Sequence, residues 1–182
     1  MNLHSTTLSK LKNSQELIDV YRDDLHSDEC LTGVILDYSD DFMLLGLFTD
    51  EGMEDGIGIL YREDITRVRW GGNELTSIKE LISFHQMRPL QASINLTLLK
   101  DVLVSVQNQF GYVCIHTERM NADVCFIGEI EEMDEHALIL NGYGTKANRD
   151  RKHLLIALEK ITRIDAGAVY EKSLQRLYSD KA

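Results

Sequence analysis

The sequence contains a single proline and a single tryptophan, and none of its apolar runs approaches the roughly 18 residues that a membrane-spanning helix needs. Its N-terminus, MNLHSTTLSKLKNS, has neither a basic start nor an apolar core, so we predict no signal peptide. The three cysteines, Cys30, Cys114 and Cys125, are too few and of the wrong parity for a disulfide framework. These absences predict a cytoplasmic protein without membrane association.

Basic residues are also scarce, and the net charge of the chain is −11. Residues 1–86 contain 7 Lys and Arg against 17 Asp and Glu, whereas residues 87–182 contain 12 against 13. Phosphate contacts supply much of the affinity of nucleic-acid binders, and an acidic surface repels phosphate. We therefore expect no DNA partner, and we expect the first half of the chain to bind nucleic acid poorly.

A repeated pattern is the most informative feature that is present. The sequence CLTGVI at 30–35 recurs as CFIGEI at 125–130, and DITRV at 64–68 recurs as KITRI at 160–164. The spacing between the copies is nearly constant and far exceeds the period of solenoid repeats, so each copy is expected to bury a core of its own. The pattern predicts a duplicated domain.

The boundary between the copies is predicted from the only proline, Pro89. Proline fixes φ and lacks an N–H, so it ends a helix at the preceding residues. We therefore predict a first repeat over residues 1–88 and a second over residues 89–182. Each is small but within the size range of domains that fold independently.

Hydrophobic periodicity predicts the same elements in both repeats: a helix, five strands and a terminal helix. In the first repeat these are a helix at 4–13, strands at 17–21, 30–38, 42–48, 57–62 and 65–70, and a helix carrying Leu75, Ile78, Leu81 and Ile82. In the second they are a helix at 94–106, strands at 112–118, 124–132, 136–142, 153–158 and 161–165, and a helix carrying Leu174, Leu177 and Tyr178. The fold class is therefore mainly β with flanking helices.

This order of elements, with a bent second strand carrying Gly33 or Gly128, resembles the Sm-like fold of Sm proteins and bacterial Hfq. The segment YREDITRV at 61–68 is similar to the Hfq version of the second Sm motif. The resemblance implies two tandem five-stranded Sm-like or SH3-like barrels, each with an N-terminal and a C-terminal helix. Because Sm-like proteins pair strand edges, it also implies a protein partner or a homo-oligomer joined through such edges.

The positions that contact RNA in that family are mostly replaced here. Met43 and Leu138 stand where the family has asparagine, and Glu63 and Glu159 stand where Hfq has histidine. Only the second repeat keeps an acidic residue, Asp134, at the family's aspartate position. Apolar or acidic replacements remove hydrogen bonds to bases and contacts to phosphate, so the resemblance implies degenerate RNA-binding motifs.

The leading prediction is accordingly a non-enzymatic binding or scaffold protein that contacts protein partners. Trp70 ends the first repeat beside a strand edge, and tryptophan is enriched where binding energy concentrates. The candidate partner-binding residues are Trp70, Arg62 and Glu63. A competing interpretation of Trp70 is that the following helix packs over it.

The alternative prediction is an RNA-binding regulator that acts through the less acidic second repeat. Residues 141–152 form the only basic run in the chain, and glycines flank its tyrosine. The candidate nucleic-acid-binding residues are Asp134, Tyr143, Lys146, Arg149, Arg151 and Lys152. The competing interpretation of this run is a solvated hairpin loop.

No catalytic residue, metal site or cofactor is predicted, because nucleophile elbows, dinucleotide fingerprints and CxxC or HExxH spacings are all missing. His26, Asp28 and Cys30 alternate along one predicted strand face, as do Cys114 and His116, which is a conceivable metal geometry. Without a recognised spacing, we interpret them as buried thiols and ordinary surface histidines.

Overall fold

A computed structural model of the chain describes residues 3–22, 30–119 and 124–179. The chain divides into two compact units, Met1–Ala92 and Ser93–Ala182, which we call the first and the second unit. In both units the described elements follow the same order: strands, a short 3-10 helix, a last strand and a helix.

The elements of the first unit match the predicted ones closely, and three strands have the predicted bounds. They are α1 Leu3–Ser14, β1 Ile18–Arg22, β2 Cys30–Tyr38, β3 Phe42–Phe48, β4 Glu54–Tyr61, a 3-10 helix Arg62–Asp64, β5 Ile65–Trp70 and α2 Asn73–Phe84. Apolar runs bounded by turn residues are a strong strand signal, which explains the agreement.

The elements of the second unit are α3 Leu99–Phe110, β6 Val113–His116, β7 Cys125–Met133, β8 Ala137–Gly142, β9 Lys152–Ala157, a 3-10 helix Leu158–Lys160, β10 Arg163–Ala166 and α4 Val169–Ser179. The helix predicted to begin at residue 94 begins at Leu99 instead. Ile94 is buried, as predicted, but it lies in irregular chain before the helix, and Leu98, which was also predicted to be buried, is 61 % exposed. Asn95 Oδ1 accepts hydrogen bonds from Thr97 in this segment.

The prediction of two closed five-stranded barrels is wrong, because the ten strands form open antiparallel sheet. In the first unit the hydrogen-bonded order is β5-β1-β2-β3-β4, and in the second it is β10-β6-β7-β8-β9. Closure would need a ladder between β4 and β5 or between β9 and β10. The 3-10 helix at Arg62–Asp64 redirects the chain so that β5 pairs with β1, and the one at Leu158–Lys160 likewise sends β10 to β6.

Gly33 and Gly128 occupy equivalent places, opposite Ile18 in the β1–β2 ladder and Val113 in the β6–β7 ladder. A Cβ atom at Gly33 would lie 2.5 Å from the carbonyl oxygen of Gly46, closer than real Cβ contacts come. Only glycine therefore allows the neighbouring strand to approach this closely. The β2–β3 register shifts shortly after this residue, as expected for a bent, bulged strand.

Each unit buries an apolar core. In the first, one cluster packs α1 onto the sheet and a second packs α2 onto it; their buried members are Leu8, Leu11, Ile18, Val20, Ile35, Met43, Leu45, Leu47 and Leu60, and Leu17, Val34, Phe48, Leu75 and Ile78. In the second, Val102, Leu103 and Val106 of α3 are fully buried together with Val113 and Ile115 of β6. Burying each such side chain stabilises the fold by about 1.5–3 kcal/mol.

Within the described ranges, no helix combines the length and the apolar character needed to cross a bilayer.

Candidate functional site

The first surface of interest is a groove beside β5, the end strand of the first unit. We call it the edge groove; α1 contributes His4, Thr7, Leu8 and Leu11, and β5 contributes Ile65–Val68 and Trp70. Its volume is about 440 Å³. In the described part of the chain β5 has one strand partner, β1, so its other edge is directed towards this groove or solvent.

Trp70 ends β5 with 51 % of its surface exposed. The helix that follows, α2, does not cover it; instead α2 buries Leu75 and Ile78 against the sheet. Gly71 and Gly72 separate the two elements with positive φ angles of 75° and 90°, a conformation that favours glycine. The turn therefore directs α2 onto the core while the indole stays accessible.

Two arginines alternate along β5 beside the edge groove. Arg69 pairs with the buried carboxylate of Asp19 at 2.5 Å and with Glu74, and these hydrogen bonds raise the pKa of Arg69. Arg67 lies over the ring of Tyr21, with 3.8 Å between its guanidinium carbon and the ring centroid. The charge of Arg69 is thus offset by carboxylates, whereas the described contact of Arg67 is an aromatic ring.

The other two predicted partner-binding residues lie in the 3-10 helix between β4 and β5. The Arg62 side chain is only 13 % exposed: it donates to the carbonyl oxygens of Ser39 and Asp40 and lies 5.6 Å from the centroid of the Tyr38 ring. Arg62 therefore holds the β2–β3 turn in place. Glu63 occupies the first turn of the same short helix, next to β5.

The basic loop of the second unit makes many contacts within its own unit. Tyr143 stacks on Tyr178 with ring centroids 4.8 Å apart and an interplanar angle of 10°, and its hydroxyl donates to Glu129. Arg151 pairs with the Glu129 carboxylate at 3.2 Å and lies 5.1 and 5.2 Å from the two ring centroids. The structure brings Tyr143 and Arg151 together, but it engages both of them internally.

The remaining predicted nucleic-acid-binding residues do not converge with that pair into a single face. Lys146 lies over the Tyr170 ring at 4.8 Å, and Lys152 lies 3.6 Å from Asp150. Arg149 is exposed with a positive φ of 48°. Asp134 accepts the backbone N–H groups of His136 and Ala137, which hold its pKa below the usual value and fix the β7–β8 turn.

A polar cluster on the second unit is the most concentrated chemistry in the described chain. Successive residues of a strand point to opposite faces, so Cys114 and His116 share one face of β6. Cys125 faces the same side because it lies opposite His116 in the β6–β7 ladder. One potential ligand atom from each of the three lies within 4.8 Å of the others. We call Cys114, His116 and Cys125 the thiol-histidine cluster.

The third strand, β10, brings charge to this cluster. Asp165 lies opposite Cys114 and Arg163 opposite His116 in the β6–β10 ladder. The Asp165 carboxylate contacts His116 Nε2 at 2.9 Å and Arg163 Nε at 3.0 Å, while Arg163 also pairs with Glu118 at 3.1 Å. Burial alone would lower the pKa of Arg163, but the two carboxylates raise it overall, so the guanidinium stays charged.

The pKa values of the two thiols in the cluster are shifted in opposite directions. A hydrogen bond from Cys114 lowers the pKa of Cys125 to about 6, helped by the charges of His116 and Arg163. That hydrogen bond and burial raise the pKa of Cys114. Cys125 is exposed and Cys114 is buried, so the accessible sulfur is the one that ionises first.

Sequence patterns missed most of this cluster because its members come from three strands. The alternation of Cys114, His116 and Glu118 was the available signal, but no spacing rule joins it to Cys125 or to Asp165. The interpretation as ordinary surface histidines is wrong for His116, which is 8 % exposed.

Two residues of the other sequence candidate, His26 and Asp28, lie outside the described residues. Cys30 is half-buried, and burial raises its pKa.

Comparison with known proteins adds no relative: no protein-family model, curated protein or solved structure matches this chain.

Proposed function

We propose that this protein is a non-enzymatic binding protein whose first unit captures an extended segment of a partner protein in the edge groove. The observation that carries the proposal is the half-exposed Trp70 at the end of a strand with one described partner. The free thiols of Cys30 and Cys114 fit the reducing cytoplasm as its location.

The edge of β5 that has no strand partner among the described residues supports strand addition as the mode of binding. An end strand presents backbone N–H and C=O groups that an extended peptide can pair with, while flanking pockets select alternate side chains. The groove runs along Ile65–Val68 and is bounded on its far side by residues of α1.

The side chains around the groove specify what the segment should contain. Arg67 offers a guanidinium that a partner carboxylate can approach, and Trp70 offers an aromatic surface for an apolar side chain. The preferred ligand is therefore an extended segment that combines acidic and apolar residues. The net charge of residues 1–86 does not prevent this, because the described contact of Arg67 on β5 is the ring of Tyr21 rather than a carboxylate.

The experiment uses the only tryptophan of the chain as a local probe. The full chain is immobilised and screened against a displayed library of random segments about eight residues long, and the enriched peptides are titrated while Trp70 emission is recorded. We expect micromolar peptides with acidic and apolar residues that shift the emission to shorter wavelength, because binding removes the indole from water.

Two matched variants separate groove binding from nonspecific adhesion. Arg67→Glu should weaken the enriched acidic peptides at least about tenfold, which corresponds to about 1.4 kcal/mol. Phe84→Ala removes an aromatic residue that is 78 % exposed on α2 of the same unit, and it should leave affinity unchanged. Each peptide is also made in two methylated versions, one with methyl groups on its odd-numbered and one on its even-numbered backbone nitrogens. An added strand donates hydrogen bonds from only one of these two sets, so only one version should lose binding. Equal binding of the two versions would exclude strand addition.

RNA binding through the second unit is the alternative, and the contacts of its loop favour it less. One face of the Tyr143 ring is occupied by Tyr178, and the Arg151 charge is offset by Glu129. Steeply salt-dependent binding of short single-stranded RNA that is lost on replacing Arg149, Arg151 and Lys152 would reverse this preference. Light scattering measures the solution mass of the free protein and so distinguishes peptide binding and RNA binding from self-association through a strand edge.

A further inference from the structure

We propose that the second unit binds one zinc-class divalent ion through Cys114 Sγ, His116 Nε2 and Cys125 Sγ, with the Asp165 carboxylate as the fourth ligand. This site is independent of the edge groove, since all four residues belong to the second unit.

The backbone positions the four ligands before any metal arrives. Cys114 and His116 alternate on the central strand β6, Cys125 lies opposite His116 on one neighbouring strand, and Asp165 lies opposite Cys114 on the other. Hydrogen-bonded ladders hold all three strands, so little conformational freedom remains to be lost on binding. Preorganisation of this kind raises affinity.

The distances suit a tetrahedral ion. Zinc bonds of about 2.3 Å to sulfur and about 2.0–2.1 Å to nitrogen place a sulfur and a nitrogen ligand roughly 3.6 Å apart at the tetrahedral angle. Cys114 Sγ and His116 Nε2 are 3.6 Å apart. All three ligand atoms of the thiol-histidine cluster lie within 4.8 Å of one another, so a small side-chain rotation closes the set.

The charge around the cluster favours a cation. The side chains of Asp165 and Glu118 are 14 % and 6 % exposed, and both carboxylates pair with the guanidinium of Arg163. Two carboxylates against one guanidinium leave one negative charge beside the cluster, which favours binding of a cation.

The donor set selects the class of ion. Thiolate and imidazole ligands are preferred by zinc and related thiophilic ions, whereas calcium and magnesium require oxygen ligands. Cys125 is exposed while Cys114 is buried, which gives the ion a path from solvent into the site.

Arg163 and two carboxylates surround the histidine. The Arg163 guanidinium lies 3.1 Å from both ring nitrogens of His116, Asp165 Oδ2 lies 2.9 Å from Nε2, and Glu118 Oε1 lies 4.0 Å from Nδ1. Nε2 is the ring nitrogen beside both Cys114 Sγ and the Asp165 carboxylate, so we assign it as the metal-binding atom.

The test uses the full chain, treated with a chelator, kept reduced with a non-thiol reductant and titrated with Co²⁺ and then with Zn²⁺. We expect one equivalent of Co²⁺ to produce a thiolate charge-transfer band and the intense visible absorption of a tetrahedral site. Zn²⁺ should displace it with a Kd below about 1 µM, and binding should release protons from the thiols.

The two repeats supply a matched pair of variants, because Cys30 occupies in the first unit the ladder position that Cys125 occupies in the second. Cys125→Ser should weaken Zn²⁺ binding at least about 100-fold and abolish the charge-transfer band. Cys30→Ser should leave both unchanged. Since Cys125 is exposed, its replacement does not disturb the core.

Asp165→Asn tests the fourth ligand separately, and we expect it to weaken binding about 10- to 100-fold and to alter the visible absorption. A spectrum and affinity unchanged by Asp165→Asn would remove Asp165 from the site. Absence of a one-to-one complex, or equal losses for Cys125→Ser and Cys30→Ser, would overturn the proposal. Neither result would bear on peptide binding to the edge groove, which is read from Trp70.

Discussion

The two units place different chemistry at the same positions of the same ladders. Where the second unit has Cys114 opposite Asp165, the first has Asp19 opposite Arg69. In the first unit the Asp19 carboxylate, 1 % exposed, is satisfied by Arg69 and by a hydrogen bond from Thr32 at 2.7 Å. The charge and hydrogen bonding of the Asp19 carboxylate are therefore satisfied within the first unit.

The same comparison continues one pair further along the strands. In the first unit Tyr21 lies opposite Cys30, and in the second His116 lies opposite Cys125 at the equivalent position. On its other side each of these residues lies opposite an arginine of the last strand, Arg67 for Tyr21 and Arg163 for His116. One cysteine has thus kept its place, while the residue opposite it is an aromatic ring in one unit and an imidazole in the other. Among the described residues of the first unit, this face has one thiol and no histidine, so it does not present the ligand set that the second unit gathers.

The comparison teaches that a shared backbone plan fixes where side chains meet but not what they do there. In the first unit the face is neutralised internally, and the accessible feature is the neighbouring strand edge with Trp70. In the second unit the face itself carries two thiols, an imidazole and a carboxylate. The two proposals, peptide capture and metal binding, follow from this division.

The largest expected difference between the two units is in how their stability depends on pH, and it arises in the helix that follows the last strand. The third residue of α4, Glu171, is buried, whereas the third residue of α2 is Leu75. Burial, reinforced by the charge of Asp165, raises the pKa of Glu171 to about 7. A carboxyl whose pKa is raised by folding contributes its full stability below its ordinary value near 4.5, and that stability is lost as pH rises through about 7.

We therefore expect the metal-free second unit to lose about 3 kcal/mol between pH 4.5 and pH 8, and the Glu171→Gln variant to lose far less. The hydrogen bonds from the Tyr112 hydroxyl and the Ala168 N–H end on Oε2, so a glutamine oxygen can accept them. Cys114 also hydrogen-bonds this side chain. The measurement is amide hydrogen exchange of β6 across this range. The same slope in wild type and variant would refute the assignment.

The next largest effect compares the first pair of equivalent residues. Asp19→Ala leaves the Thr32 hydroxyl without its acceptor in a buried site, and we expect it to cost about 2 kcal/mol. Its matched control, Cys114→Ala in metal-free protein, removes a small buried thiol and should cost about 1 kcal/mol. Urea unfolding followed by Trp70 emission reports the first unit, and hydrogen exchange reports the second. Equal costs would show that the ion pair adds no stability.

The smallest effect compares the equivalent thiols. With a pKa of about 6, Cys125 is mostly thiolate at pH 7, whereas burial raises the pKa of Cys30 above its ordinary value. The thiolate of a more acidic thiol is a weaker nucleophile, which reduces but does not cancel the rate advantage of Cys125 over Cys30. We expect iodoacetamide to alkylate Cys125 at least about tenfold faster than Cys30 at pH 7, measured by mass spectrometry. The alkylation rate of Cys125 itself should fall below pH 6, where its sulfur becomes protonated, and Zn²⁺ should protect Cys125 but not Cys30.

Several parts of this architecture could be predicted from local patterns. Strands β2, β3 and β5 follow from apolar runs with turn residues on both sides, and the close approach at Gly33 follows from a glycine inside a strand. The exposure of Trp70 was only one of two interpretations, because sequence does not reveal which face of α2 packs against the sheet.

Local patterns did not reveal whether the sheet closes. Closure depends on whether the strands on either side of Arg62–Asp64 pair with each other, and three residues of 3-10 helix give no sequence signal for that. The thiol-histidine cluster was hidden for a related reason. Its ligands are separated along the chain and meet only through strand register, which depends on interactions among distant segments.

By itself, the sequence determined the order of helices and strands, the unequal charge of the two halves and the recurrence of a cysteine and a glycine in each, because these depend on side-chain patterning and composition. The tertiary structure alone decided that the sheet stays open, that Trp70 is left beside a groove, and that Cys114, His116, Cys125 and Asp165 face one another. Those outcomes rest on which strands pair and in which register, and cross-strand hydrogen bonds between residues far apart in the chain are invisible to any local pattern.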